Sequence, residues 1–168
     1  GIQFENISIQ PAIRSFKRMI EKNAKLRVLT NVFDNIQARS RGVTLMSLSN
    51  TNGYLVLSTG NKSETSVGYV TIYGDMCGGY AVLKDIYKTT VYELAKWRNK
   101  NFSHQFLGAN QSIIPSRVFS KAPTAELHRN QKDQDILPPY KKLDGILKHF
   151  LEEDMGVQQV IKRGYSAK

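Results

Sequence analysis

The sequence predicts an α/β fold: a doubly wound parallel sheet with flanking helices, carried here as a partial domain. The run Tyr54-Leu55-Val56-Leu57 is apolar without interruption and breaks into Ser58-Thr59-Gly60-Asn61, the pattern of a strand buried in a parallel sheet and ending in a turn. Apolar residues at three- and four-residue spacing mark helices on either side of it. Only two segments, 3–9 and 54–58, read as strands. A stable parallel sheet normally has more, so the chain is expected to hold part of one.

The elements follow in order. Phe4, Ile7 and Ile9 alternate imperfectly in a short strand. Pro11 suits a first helical turn, and Ile13, Phe16 and Ile20 then predict an amphipathic helix to about Leu26. Asp34 is the expected N-cap of the next helix. Its small or apolar face is Ala38, Gly42, Leu45, Met46 and Ser49, and Asn50-Thr51-Asn52-Gly53 stops it. After the strand at 54–58 comes a glycine-rich patch, Gly74-Asp75-Met76-Cys77-Gly78-Gly79. Leu83, Ile86, Tyr87, Val91, Leu94 and Ala95 mark a helix to about Asn99. Residues 113–119 read as a loop or edge element, and 120–139, with Pro123, Pro138 and Pro139, as an extended ordered loop. Leu143, Ile146, Leu147, Phe150 and Leu151 define a strong last helix, with another hinted at by Val157, Val160 and Ile161.

Composition narrows the function classes. The 168 residues, 40% hydrophobic, are one domain's worth of chain with a sizeable core. No run approaches the roughly 18 apolar residues of a membrane span, and the N-terminus lacks a secretory pattern. One cysteine, Cys77, excludes an internal disulfide framework and fits a reducing compartment, so a cytoplasmic protein is expected. The net charge of +10 suits nucleic acid, a polyphosphate ligand or a basic surface. Basic residues are spread along the chain without interleaved aromatic clusters, which argues against a nucleic-acid partner.

Ligands of open α/β sheets bind beyond the carboxyl ends of strands. Ser58, Thr59 and Gly60 stand at such an end and offer donors to a phosphate, while Glu64 can hold Mg²⁺. The plainer alternative is that Ser58 and Thr59 cap the helix that follows and Glu64 is a solvated acid. Lys88 lies off its helix's apolar face, where exposed lysines are common. Thr124 can cap Ala125-Glu126-Leu127, and Asn35 can cap beside Asp34. His104, His128 and His149 have spacings unlike a metal site. Cys77 shows no activating neighbour. No G-x-S-x-G, Walker loop or G-x-G-x-x-G occurs.

In sequence order, FDNIQARSRG (33–42), LSTGNKSE (57–64), YGDMCGG (73–79), KTTVYELA (88–95), KAPTAEL (121–127) and LPPYKKLDGIL (137–147) closely resemble NAD⁺ synthetase. The likeness spans nearly the whole chain and is nearest the synthetase domain of the bacterial glutamine-dependent type. It implies the adenine nucleotide alpha hydrolase-like fold of ATP pyrophosphatases. It also implies a ligase reaction: ATP with Mg²⁺ adenylates the nicotinate carboxylate of deamido-NAD⁺, pyrophosphate leaves, and ammonia from glutamine displaces AMP. Charge building on the α-phosphate must then be neutralised by metal and donors. By motif, Thr59, Lys88 and Thr124 are implied ATP contacts. Asn35 and Glu64 are implied to bind deamido-NAD⁺, with Glu64 also implied at Mg²⁺. Asp75 and the glycines after it are expected to form a mobile loop near the substrates. A homodimer or higher homo-oligomer is the implied assembly.

The chain departs from the family pattern in several places. The S-G-G-x-D-S phosphate loop is absent, the only Gly-Gly pair being Gly78-Gly79. Ile72 and Gly79 stand where ammonia-dependent members carry a lysine and an acid. Residues 1–168 are thus expected to be the central and C-terminal part of one synthetase domain. A glutaminase domain is expected upstream, and the isolated piece is expected to be inactive. The alternatives are another AMP-forming ATP pyrophosphatase acting on a purine or tRNA base, or a basic nucleic-acid-binding domain.

Overall fold

The computed structural model describes residues 3–24, 30–106, 108–109 and 111–166. They form two compact units, Gly1–Gly60 with Gly68–Val82, and Asn61–Val67 with Leu83–Lys168.

The first unit is built on α1 (Gln10–Ala24) packed against α2 (Thr30–Asn52). Ile13 is the buried anchor of α1, as its spacing predicts; the expected helix end at Leu26 lies outside the described residues. Residues 3–9 are not a strand. Phe4 and Ile7 are exposed, and the segment leads directly into α1. Helix α2 begins at Thr30, so Asp34 lies inside it rather than capping it. Ala38 and Gly42 are buried as expected, but Leu45 and Met46 are exposed. Several Ser and Thr hydroxyls of α2 bond back to the preceding turn: Thr44 donates to Ser40 O at 2.8 Å, and Ser47 donates to Val43 O at 2.8 Å. Gly53, at φ 66°, ends the helix in a Schellman motif, with Tyr54 N–H donating to Ser49 O at 3.1 Å.

Strand β1 (Leu57–Ser58) then pairs in parallel with β2 (Tyr80–Ala81), Leu57 opposite Tyr80 and Ser58 opposite Ala81. The parallel sheet of an α/β fold is therefore present. The run at 54–57 is nonetheless not buried: Leu55 is 68% exposed, and Tyr54 and Leu57 are exposed too. Among the described residues β1 pairs with β2 alone, and the opposed Leu57 and Tyr80 are both exposed while Ser58 is buried.

The glycine-rich patch is a hydrogen-bonded turn docked on α2. Thr71 N–H donates to Asp75 Oδ1 at 2.6 Å, and Gly74 N–H to Thr71 O at 2.9 Å. A methyl group at Gly42 would stand 2.8 Å from Tyr73 O and 2.9 Å from Cys77 Sγ. Backbone cannot yield cheaply at that range, so Gly42→Ala is expected to cost about 1–3 kcal/mol of stability. Amide exchange across 71–79 and α2 should quicken; unchanged protection there would refute the close approach.

The second unit contains α3 (Lys62–Ser66), α4 (Lys88–Lys100), α5 (Ser116–Ser120), a short 3₁₀ turn at Asp133–Asp135, α6 (Tyr140–Leu151) and α7 (Val157–Lys162). Helix α4 starts at Lys88, after a turn in which Ile86 N–H donates to Leu83 O at 3.0 Å, rather than at Leu83. Residues 116–120 are helical, with Pro115 at the N-cap, where a loop or edge element is expected from sequence. Asn99 holds the chain before it, accepting from Ile113 and Ile114 N–H at 3.1 and 3.0 Å. The periodicity of α6 is matched by burial of Leu143 and Leu147, which form the core with Tyr87 and Tyr140, closed by Leu137. Helices α3, α4 and α7 all pack on α6. Among the described residues no helix is long and apolar enough to cross a membrane.

Candidate functional site

The second unit gathers chemistry where α3 and α4 begin. Asn61 caps α3: its side chain accepts from Glu64 N–H at 3.1 Å, and Glu64 Oε2 accepts from Asn61 N–H at 3.2 Å. This capping box rules out the alternative that Ser58 or Thr59 caps the helix, because α3 starts at Lys62 and the cap must immediately precede it. Glu64 is not a solvated acid either. Its other oxygen, Oε1, accepts from the Lys88 ammonium at 2.9 Å, with the two side chains only 17% and 20% exposed. Lys88, in turn, lies over the Tyr140 ring at 5.4 Å. Of the residues singled out from sequence, Glu64 and Lys88 are brought into direct contact.

Thr124 lies in the same unit, in irregular chain. It caps no helix; its hydroxyl accepts from Glu126 N–H at 3.1 Å, and Glu126 takes φ 55°, closing a turn. That turn is tied to the Lys88 neighbourhood. Asp133 N–H donates to Pro123 O at 2.9 Å, and the Tyr140 hydroxyl donates to Asp133 Oδ2 at 2.7 Å. Thr59 and Asn35 belong to the first unit. Thr59 is exposed after β1, and Asn35 Oδ1 accepts from the Thr71 hydroxyl at 3.1 Å. Asn35 sits within α2 and therefore caps nothing.

Sequence reasoning assigned no role to Ser63, Asp133, Tyr140 or Asp144, all central to this region. Asp144 and Ser63 stand in stretches that carry the family resemblance, and that was their only signal. Their burial and mutual contact have no local pattern. Among the described residues no group of three His, Cys, Asp or Glu side chains is placed to hold a metal ion.

Beside the site, Lys62 donates to Glu152 Oε1 at 2.9 Å and lies 4.6 Å from the centre of the Tyr87 ring. The buried Tyr87 hydroxyl makes no well-aligned hydrogen bond, and burial pushes its pKa up. The hydrogen bond from Lys62 holds the Glu152 carboxyl below its ordinary range, and the same bond raises Lys62. The carboxylate's contribution is therefore full above its unfolded pKa of about 4.3 and is lost as pH falls through the lowered folded value. The ammonium's contribution is full below about 10.4 and is lost as pH rises through the raised folded value. Exposed bridges are weak, so Glu152→Gln should lower the thermal midpoint only slightly near pH 7. The difference should vanish once the pH is well below the lowered folded pKa of Glu152. A difference that persists in acid would show that the pair is not its source.

Comparison with known proteins then places the chain. Residues 1–168 match the family model described as NAD synthase. A glutamine-dependent NAD(+) synthetase of Xanthomonas campestris pv. campestris (strain 8004) is 49% identical over 170 residues, covering 99% of this chain and 29% of that protein. Among solved structures, the glutamine-dependent NAD+ synthetase of Acinetobacter baumannii in complex with ADP is 44% identical at a TM-score of 0.56, over 93% of this chain and 26% of that one. The glutamine-dependent NAD(+) synthetase of Cytophaga hutchinsonii aligns at a TM-score of 0.74 with 26% identity, over 97% of this chain and 25% of that one. The chain thus spans under a third of the length of these relatives.

Proposed function

The chain belongs to the NAD synthase family, and on that premise we propose that the whole protein is an ATP-dependent ligase that makes NAD⁺. In this reading an oxygen of the nicotinate carboxylate of deamido-NAD⁺ attacks the α-phosphorus of ATP. The bond to the bridging oxygen breaks and pyrophosphate leaves. Ammonia, released from glutamine elsewhere in the whole protein, then attacks the activated carboxyl carbon. The bond to AMP breaks, the nitrogen sheds its extra proton, and the amide of NAD⁺ is complete.

The observation that carries the proposal is the Glu64–Lys88 pair, a largely enclosed acid and cation held in the first turns of α3 and α4. Both side chains are already positioned, so little ordering remains when a ligand arrives. An incoming polyphosphate draws the Lys88 ammonium to itself, where it offsets charge on the phosphates. The Tyr140 ring beneath it limits how far the ammonium strays. Thr124, on the turn tied back through Asp133 and Tyr140, adds a hydroxyl contact to ATP. The family motifs, rather than the geometry, are what assign Thr59 to ATP and Asn35 and Glu64 to the dinucleotide.

Proteins usually hold Mg²⁺ by one or two carboxylates together with waters and substrate phosphates. Glu64 fits that pattern, since its Oε1 already accepts a cation, the Lys88 ammonium. When bound there, Mg²⁺ supplies charge neutralisation to the phosphates.

The assembly proposed is a homodimer or higher oligomer. Helix α1 exposes Phe16 and Met19, and α2 exposes Val43, Leu45 and Met46, apolar surface that pairing would cover.

The test is acceptor dependence. Pyrophosphate release from ATP and Mg²⁺ by the whole protein should require deamido-NAD⁺, and NAD⁺ should follow on adding ammonia or glutamine. Release driven instead by a purine or a tRNA base would establish a different ATP pyrophosphatase. Salt-sensitive binding of RNA without nucleotide dependence would point to the nucleic-acid reading.

A further inference from the structure

The helix that presents Lys88 begins without a side-chain cap of its own. Tyr87, at the N-cap of α4, offers no acceptor to the first turn, and the first four N–H groups of a helix need partners from outside it. Two of them find partners across the fold. Lys88 N–H donates to Ser63 Oγ at 2.9 Å, and Thr89 N–H donates to Asp144 Oδ2 at 2.9 Å. The Ser63 hydroxyl then donates to Asp144 Oδ1 at 2.5 Å, closing the circuit.

Burial makes this circuit consequential. Ser63 is 0% exposed and Asp144 is 2% exposed. A carboxylate so enclosed is costly unless hydrogen bonds and positive charge compensate it. Here the two donors and the positive end of α4 do so. Its neighbour Leu143 belongs to the apolar core, so the carboxylate is anchored from behind. Ser63 immediately precedes Glu64, and Thr89 immediately follows Lys88. The circuit therefore grips the backbone next to both members of the candidate site's ion pair.

We propose that Ser63 and Asp144 are positioning residues for the nucleotide step. They hold α3 and α4 in the register in which Glu64 faces Lys88, and they stop the first turn of α4 from fraying. The proposal rests on the reading that Lys88 meets the nucleotide. A misplacement of about 1 Å at such a contact is enough to cost about a hundredfold in rate.

The test uses the whole protein and follows pyrophosphate release at varied ATP and ammonia. In Asp144→Asn one amide oxygen cannot serve both donors, and in Ser63→Ala the hydroxyl is gone. Each is expected to raise the KM for ATP about tenfold, the value of one charge-assisted hydrogen bond, while the KM for ammonia stays near wild type. Adding Asp144→Asn to Lys88→Ala should raise the ATP KM no further, because the lost positioning acts through Lys88. An unchanged ATP KM in folded Asp144→Asn and Ser63→Ala, or an equal rise in both KM values, overturns the positioning role. If Lys88→Ala itself leaves the ATP KM unchanged, the reading of Lys88 falls, and the proposal with it. A measurement on the unaltered protein stands apart from any folding defect. The Lys88 and Thr89 amides should be as protected from hydrogen exchange as the middle of α4, and rapid exchange at these two positions overturns the proposal.

Discussion

Glu64→Gln and Lys88→Met are each expected to lower ATP-dependent pyrophosphate release by the whole protein about 10²–10³-fold, the usual effect of removing one preorganised charged group from a transition state. The pair at 2.9 Å makes the two substitutions informative together. Glutamine at position 64 retains an amide oxygen for Asn61 N–H, so the cap of α3 survives while the charge is lost. Methionine at position 88 preserves the length of the side chain over Tyr140 and removes only its charge and donors. Circular dichroism should therefore be unchanged in both. Near-normal pyrophosphate release by folded Glu64→Gln would remove Glu64 from any metal or substrate role, and the same result with Lys88→Met would remove Lys88 from the phosphates. The double variant should lose less than the product of the two single losses, because groups in direct contact couple.

Leu147→Ala carries the largest expected effect on stability. Leu147 is buried with Tyr87, Tyr140 and Leu143 in the one apolar cluster of buried residues in the second unit, among the described residues. Removing a buried leucine side chain costs about 2–5 kcal/mol, the transfer loss plus the cavity that remains. Of its neighbours, Tyr87 immediately precedes Lys88 and Tyr140 lies beneath the Lys88 ammonium, so collapse into the space would displace the site. Amide exchange in α4 and α6 should quicken together, and ATP affinity should weaken with it. Faster exchange confined to α6 would mean that α4 is held independently of this core. Preserved protection throughout would mean that the cluster is not what stabilises the unit.

Much of the helical part of the fold was readable in the residues. The spacing of Leu143, Ile146, Leu147 and Phe150 corresponds to α6, and Ile13 marks the buried side of α1, because a 3.6-residue period is a local property of the chain. Gly53 was equally legible as a stop, since a residue at positive φ with no side chain suits the end of a helix. Strands were less so. Tyr80–Ala81 is too short for an alternating pattern, and the parallel pairing that makes it a strand comes from β1, which lies 23 residues earlier by Leu57 to Tyr80. The segment 3–9 shows the reverse error, where alternation without a pairing partner makes no strand.

The candidate site divides along the same line. Glu64, Lys88 and Thr124 could be named from ordered motifs, because their chemistry is carried by residue type. Their mutual arrangement could not. Lys88 meets Glu64 across 24 positions and Ser63 meets Asp144 across 81, contacts with no repeat or period to announce them. The identity of the helix cap went the same way: Ser58, Thr59 and Asn61 are all competent caps, and the choice of Asn61 follows from where α3 starts. Residue order was enough to mark the helical stretches that became α1, α2, α4 and α6 and the kinds of group available for chemistry, since these depend on neighbours along the chain. It did not fix where α2 and α4 start or that 116–120 is helical. Which acid faces which lysine, and which buried carboxylate accepts from the first turn of α4, was decided only when packing on α6 brought distant segments within hydrogen-bonding range.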